Sequence, residues 1–233
     1  MKNKMIIVTL FAIAMACLES AVVVYLRALY YPKGFTIQYI NIDVSILITE
    51  IVREIATIVM LYTLSALISK KLHQQFAWFI FAFAVWDIFY YVWLKIFIHW
   101  PVSIMEWDIL FLLPITWLGP VLAPVICSIA MIILAFVILI FKSKPSITEW
   151  LGLCLGSMFI LYTFMYDYGK LLNNNHLWNE LNSLTSNPIF IQKASQLVPE
   201  PFQWIWFSCG MGLILTAILS QLKRNLQQNK HEN

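Results

Sequence analysis

The stretch that decides the fold runs from Val44 to Ser69 and reads VSILITEIVREIATIVMLYTLSALIS. About 20 apolar residues in a helix suffice to cross the hydrocarbon of a bilayer, and this stretch exceeds that length. It nevertheless holds Glu50, Arg53 and Glu54. Positions i, i+3 and i+4 lie on the same side of a helix. Because charge inside a membrane is costly, this side of the helix predicts a functional or tightly paired site.

The composition of the whole chain indicates a membrane protein. Of its 233 residues, 61% are hydrophobic and 12% are charged, whereas soluble domains contain roughly 25% charged residues. We interpret the first apolar run as a retained helix and not a cleaved signal peptide, because it is long enough to span. The chain is therefore predicted to be an all-α, polytopic, single integral membrane domain over 1–233. Its six predicted spans are 5–26, 44–69, 76–98, 121–141, 147–166 and 202–222.

The distribution of Lys and Arg predicts the orientation. With a cytoplasmic N-terminus, nine of the 15 basic residues lie in inner segments, five in outer segments and one inside the membrane. Cytoplasmic loops carry the excess of positive charge in membrane proteins. We therefore expect both termini to be cytoplasmic and the chain to lie in the cell (cytoplasmic) membrane, with its functional face extracytoplasmic.

Two outer segments have their own predicted structure. Residues 103–113 are apolar but too short to span, and Pro114 follows them, so we expect a short interfacial or re-entrant half-helix there. The segment 168–201 is predicted to be an external loop with a short amphipathic helix over 176–184. Within it, Asn187-Pro188 is predicted to break regular structure.

The acidic residues are not spread evenly with depth. Counting at about 1.5 Å per helical residue places Glu54 and Asp87 near the membrane midplane. Glu19 and Glu50 fall closer to the outer surface, and apart from Glu149 in the first turn of 147–166 no acidic residue occupies the inner half of a predicted span. The pattern predicts a polar funnel that opens to the outside and ends in mid-membrane.

Other polar and aromatic residues are predicted to line this funnel. Tyr90 and Tyr91 follow Asp87 by three and four positions, so both hydroxyls can lie beside its carboxylate. The candidate catalytic residues are Glu50, Glu54 and Asp87, because intramembrane carboxyls suit acid/base chemistry. The candidate substrate-binding residues are Arg53, Glu19, Arg27, Tyr90, Tyr91, Trp86, Asp108 and Asp167, with Arg53 expected to bind an anionic group.

A metal site is a second interpretation of the same carboxyls. Glu50, Glu54 and Asp87 could supply the oxygen ligands that Mg, Mn or Ca prefers. Zinc and haem are disfavoured, because the sequence has no clustered Cys or His ligands. Known nucleophile, zinc-protease and phosphate-loop motifs are absent from the sequence. Gly152 and Gly156 form a G-x-x-x-G pattern, which is typical of close helix packing.

The charge balance leaves the function open between three classes. Seven acids lie in the predicted outer half against three bases, so some acids must stay protonated or a cation must bind. The acids are Glu19, Glu50, Glu54, Asp87, Glu106, Asp108 and Asp167, and the bases are Arg27, Arg53 and Lys95.

The favoured function is a membrane-embedded enzyme acting on a lipid or small hydrophobic substrate by carboxylate acid/base or metal-assisted chemistry. A cation- or proton-coupled transporter or channel is the first alternative, and a structural or assembly subunit is the second. The expected partners are the lipid bilayer, a lipid or small hydrophobic ligand, and a further copy of the chain. Nucleic acid is not expected, because the sequence has no basic patch with interleaved aromatic residues.

Overall fold

The computed structural model of the protein describes residues 1–32, 34–37, 43–178 and 187–232. Within these residues the chain forms seven helices and one two-stranded antiparallel hairpin. The elements are α1 (Lys2–Tyr30), α2 (Val44–Ile68), α3 (Leu72–Ile98), β1 (Trp107–Phe111), β2 (Trp117–Pro120), α4 (Leu122–Phe141), α5 (Ile147–Asn174), α6 (Pro188–Ser195) and α7 (Trp204–Glu232).

Five of the described helices are long and apolar enough to cross a membrane, which supports a multi-pass membrane protein. They are α1, α3, α4, α5 and the part of α7 from Trp204 to Gln228. The helix α2 has 25 residues and carries the charged positions 50, 53 and 54, and it is not among the five.

The helix α3 lies at the centre of one half of the molecule, where it contacts α1, α2 and α4. Two polar contacts join α3 to α1. The Ser20 hydroxyl donates to the carbonyl of Tyr90 at 3.0 Å, and the Trp93 indole nitrogen donates to the carbonyl of Ile13 at 3.1 Å. Each contact gives a side-chain donor an acceptor on the neighbouring helix, and a donor left unpaired in an apolar interior would be costly. The buried face of α2 consists of Glu54, Thr57, Leu61 and Ser65.

The helices α5 and α7 form the second packed pair, and small residues bring their backbones together. A Cβ atom added to Gly156 would lie 2.6 Å from the Gly210 carbonyl oxygen, and one added to Gly210 would lie 2.7 Å from that of Gly156. Gly152 also faces α7, at Ala217. The structure therefore agrees with the packing interpretation of G-x-x-x-G.

Residues 103–113 do not form the half-helix that the sequence predicts. The strands β1 and β2 pair there as a hairpin, with Trp107 opposite Pro120 and Asp108 opposite Gly119. Two physical reasons favour strands in this segment. Aromatic and β-branched residues pack well on a pleated surface, and Pro114 lacks the N–H that a continuing helix needs. Gly119 lets β2 lie close to Phe164 of α5, since an added Cβ would be 3.1 Å from the ring.

The segment between α5 and α7 also differs from the expectation. Asn187-Pro188 begins α6 and does not interrupt it: the Asn187 side chain accepts from the N–H of Ile189, and proline occupies the first turn. Proline suits this position because the first helical N–H groups have no partner within the helix. Most of the helix expected over 176–184 lies outside the described residues.

At the end of the molecule away from the hairpin, polar contacts join α1 to α2 and α7 to α5. Lys4 donates to the carbonyl of Ile68 at 2.8 Å. Glu149, in the capping box that begins α5, pairs with Arg224 of α7 at 2.9 Å. Neither contact involves a residue of the predicted funnel.

We predict that Gly156→Ala lowers the free energy of unfolding by about 1–3 kcal/mol, because the added methyl group overpacks the contact with Gly210. Thermal unfolding in detergent measures the change. Gly169→Ala is the matched control in the same helix, where an added Cβ meets nothing within 4 Å. An equal loss of stability in the two variants would contradict the close contact between α5 and α7.

Candidate functional site

A cavity of about 160 Å³ lies between α1, α2, α3 and the hairpin, and we call it the polar cavity. The structure brings almost all of the candidate site residues to its walls, although they are far apart in the sequence. Those that line it are Glu19, Arg27, Glu50, Arg53, Glu54, Trp86, Asp87, Tyr90, Tyr91 and Asp108.

Arg53 is held between two carboxylates. Its Nε donates to Glu50 one helical turn earlier at 2.8 Å, and its Nη1 forms an ion pair with Glu19 of α1. Both carboxylate side chains are about one-eighth exposed. Because Glu19 and Glu50 share this guanidinium, Arg53 is engaged in joining α1 to α2. The anion-binding role expected for Arg53 has no support in these contacts.

Arg27 joins the last turn of α1 to the hairpin. Its Nη2 donates to Asp108 of β1 at 3.0 Å, and Asp108 is 2% exposed. Burial raises the pKa of Asp108 to about 6, against the opposing effect of the Arg27 charge. Two aromatic rings cover the guanidinium, with its central carbon 4.0 Å from the ring centroid of Phe35 and 3.9 Å from that of Trp100.

Glu54 attaches α2 to the other end of β1. Both of its carboxyl oxygens lie 3.1 Å from the backbone nitrogen of Leu112, which donates to them. The Glu54 residue is 6% exposed, and no basic side chain within the described residues forms an ion pair with it. A neutral donor thus holds a buried carboxyl in place without neutralising its charge.

Asp87 has a comparable environment on α3. The Ser128 hydroxyl of α4 donates to it at 2.8 Å, and no ion pair reaches it from the described part of the chain. Tyr90 does not hydrogen-bond to this carboxyl as expected, because its hydroxyl lies toward Asp108 at 3.5 Å. Of the five carboxyls in the polar cavity, Glu54 and Asp87 are therefore the two that have no cationic partner among the described residues.

Two sequence expectations are wrong in position. Asp167 does not line the polar cavity, since it accepts a hydrogen bond from the backbone N–H of Glu200 at 3.1 Å. Lys95 forms no ion pair with an acid of the described residues. Its ammonium donates to the carbonyl oxygens of His99 and Pro101, where the backbone turns away from the end of α3. A cation near a helix C-terminus is favoured by the helix dipole.

The carboxyls of Glu50, Glu54 and Asp87 are not assembled as a metal-ligand group. Each has a different partner: Arg53, the Leu112 N–H and the Ser128 hydroxyl. Across the described ranges, no group of three or more His, Cys, Asp or Glu side chains is arranged to hold an ion. The contacts of these three carboxyls therefore give the predicted metal site no support.

A second, larger cavity of about 330 Å³ adjoins the first, and we call it the apolar cavity. It lies between α3, α4, α5 and α7 beneath the hairpin, and its lining is mostly aliphatic and aromatic. Four residues line both cavities and form a shared wall: Trp86, Asp87, Leu110 and Phe111. Ser157 of α5 lines the apolar cavity and is itself exposed, and α5 is long and apolar enough to span a membrane.

Sequence reasoning missed three groups that define the site. Ser128 is a single hydroxyl in the strongly apolar α4, and polarity in such a helix is the signal that could have identified it. Phe35 gives no signal in the sequence, because only the fold brings it to Arg27. The Leu112 N–H is a backbone group, so no residue type could indicate it.

Comparisons of the chain with protein-family models, curated proteins and solved structures find no match.

We predict that Glu54→Ala and Glu54→Gln separate the anchoring role of this residue from its charge. Alanine leaves the Leu112 N–H without its acceptor, which costs about 1–3 kcal/mol, whereas the glutamine side-chain oxygen can still accept. Thermal unfolding and amide hydrogen exchange of residues 107–120 measure the two effects. Equal losses in both variants would show that the hairpin needs the charge of Glu54 and not only an acceptor.

Proposed function

We propose that this protein is a membrane-embedded enzyme that acts on the polar end of an amphiphilic, lipid-like substrate by carboxyl acid/base chemistry. The observation that carries the proposal is the shared wall between the polar and the apolar cavity. A molecule with a hydrocarbon chain and a polar end matches two adjoining cavities of these kinds. Asp87 lies on the shared wall, where the two parts of such a molecule would meet.

The two carboxyls without a cationic partner are the candidates for proton transfer. Glu54 and Asp87 are each held by one neutral donor, so each can exchange a proton without first breaking an ion pair. Glu50, the third candidate, is bound to Arg53 and is better suited to positioning α2. We therefore assign the chemistry to Asp87 and Glu54.

The apolar cavity suits a hydrocarbon chain taken from the bilayer. Its volume lies within the roughly 300–1,000 Å³ typical of ligand sites. We place its opening at the exposed Ser157, on a helix long and apolar enough to be surrounded by lipid. The hydrocarbon chain of a lipid could therefore enter the apolar cavity laterally from the membrane without passing through water.

We further propose that α2 is a sixth span and that both termini are cytoplasmic. The excess of Lys and Arg near the end that holds Lys4 and Arg224 supports this orientation. The hairpin and the polar cavity would then face the extracytoplasmic side of the cell membrane.

We predict that Ser157→Trp blocks entry of a hydrocarbon chain into the apolar cavity. The probe is a 16-carbon hydrocarbon that carries a photoreactive diazirine, and peptide mapping by mass spectrometry measures its cross-links to cavity-lining residues. Cross-linking is expected to fall at least fivefold, because the indole would occupy the opening. Met158→Trp is the control: the neighbouring side chain is 65% exposed and does not line the cavity. Equal cross-linking in both variants and the wild type would exclude this route.

We predict that Asp87→Asn abolishes conversion of the substrate while the fold is retained. The asparagine oxygen can still accept from Ser128, but the side chain cannot transfer a proton, a loss of typically 10²–10⁴-fold in rate. Mass spectrometry of a total membrane lipid extract, incubated with each purified variant, identifies lipids that only the wild type converts. Asp43→Asn is the control, because this exposed residue begins α2 and asparagine caps a helix equally well.

The same pair of variants distinguishes the alternative functions. Proton or cation flux into proteoliposomes that needs Asp87, without lipid conversion, would favour a transporter. Loss of folding in Asp87→Asn, with no wild-type activity of either kind, would favour a structural subunit.

A further inference from the structure

The guanidinium of Arg27 has hydrogen-bonding capacity that the protein does not use. Arginine carries five N–H donors, and in this residue only Nη2 has a hydrogen-bond partner. Within the part of the chain that the structure describes, Nε and Nη1 make no hydrogen bond, although both atoms are buried. Arg27 is 8% exposed and lines the polar cavity.

A second unused donor lines the same cavity. The indole nitrogen of Trp86 is buried and likewise finds no acceptor among the described residues. Trp86 comes from α3 and Arg27 from α1, so the two donors are independent features of the fold. Buried donors normally have partners, and an acceptor atom on a ligand in the polar cavity could serve either of them.

The charges around the polar cavity restrict the charge of the ligand that carries such an acceptor. Glu54 and Asp87 have no cationic partner, and Glu19 and Glu50 share the single charge of Arg53. An anionic ligand would add a further negative charge to a buried, acid-rich site, where repulsion is weakly screened. A cationic ligand would repel Arg27 and leave both donors unpaired. A neutral oxygen acceptor avoids both penalties.

We propose that Arg27 binds the carbonyl oxygen of a neutral lipid-like substrate, such as a fatty ester or ketone, whose chain occupies the apolar cavity. The inference rests on the proposed function and specifies its substrate class. A guanidinium bonded to a carbonyl oxygen withdraws electron density and stabilises negative charge that develops there. Such an arrangement suits a site that also contains carboxyls able to accept a proton.

The test compares three probes of equal chain length: methyl palmitate labelled with ¹³C at the carbonyl, hexadecane and palmitate. Affinities are measured on the full-length protein in nanodiscs, and infrared difference spectra report the ¹³C=O stretch of the bound ester. We expect the wild type to bind the ester about 10- to 100-fold more tightly than hexadecane, with its carbonyl stretch shifted to lower wavenumber. We expect palmitate to bind more weakly than the ester.

Arg27→Met is expected to lower the affinity for the ester to that for hexadecane and to remove the infrared shift. Hexadecane binding should not change, and this result also shows that the variant is folded. Because Arg27→Met leaves Asp108 unpaired, Arg27→Met/Asp108→Leu is the second variant, in which an apolar pair replaces the buried ion pair. The same loss of ester preference is expected in it.

The failures of the two proposals differ. The proposed role of Arg27 is wrong if the wild type binds hexadecane and the ester equally. It is also wrong if both variants still bind the ester more tightly than hexadecane and keep the infrared shift. In either case the apolar cavity would still be a site for a hydrocarbon chain. If the wild type binds palmitate more tightly than the ester, and both variants lose this difference, then Arg27 binds an anionic group and not a neutral carbonyl. If neither hexadecane nor the ester binds, the proposed function falls, and the substrate class of Arg27 falls with it.

Discussion

The pairing of Arg53 with Glu19 and Glu50 is the contact on which the rest of the site depends. An ionised side chain inside a membrane protein is tolerated only when it is paired or lies in a polar cavity. Glu50 and Arg53 belong to one helix, so they could form an ion pair whatever the position of α2 relative to the other helices. Glu19 belongs to α1, and its share of the guanidinium fixes how α2 is turned relative to α1. With this orientation, the buried face of α2 presents Glu54 toward the hairpin.

The hairpin is likewise held in place by buried charged side chains. Arg27 and Glu54, from different helices, bind β1 at Asp108 and at the Leu112 N–H. On its other side Gly119 allows β2 to lie against Phe164 of α5. A two-stranded hairpin alone is marginally stable, so these contacts with the helices hold it in place. The hairpin in turn covers both cavities, because Leu110 and Phe111 belong to the wall that they share.

The two cavities give the proposed function its form. Every carboxyl in the polar cavity has a hydrogen-bond donor or an ion-pair partner, yet Glu54 and Asp87 receive only neutral donors and Arg27 keeps unused ones. A purely structural network would be expected to pair its charges fully, because unsatisfied buried groups are costly. The remaining capacity of these three residues is what favours a ligand over a structural role.

The sequence by itself determined the helical, membrane-spanning character of the protein, because long apolar runs are a local property that no distant contact can change. It also indicated the candidate site residues, and ten of these eleven line one cavity. The sequence did not determine the strands at 107–120, since short apolar runs suit helix and strand alike. Nor did it show which carboxyl pairs with which base. Asp167 and Lys95 were misplaced for this reason, and Asp87 accepts from a serine of α4 and not from Tyr90, whose hydroxyl lies toward Asp108. Pairing depends on distances between helices, and only the tertiary structure decides these.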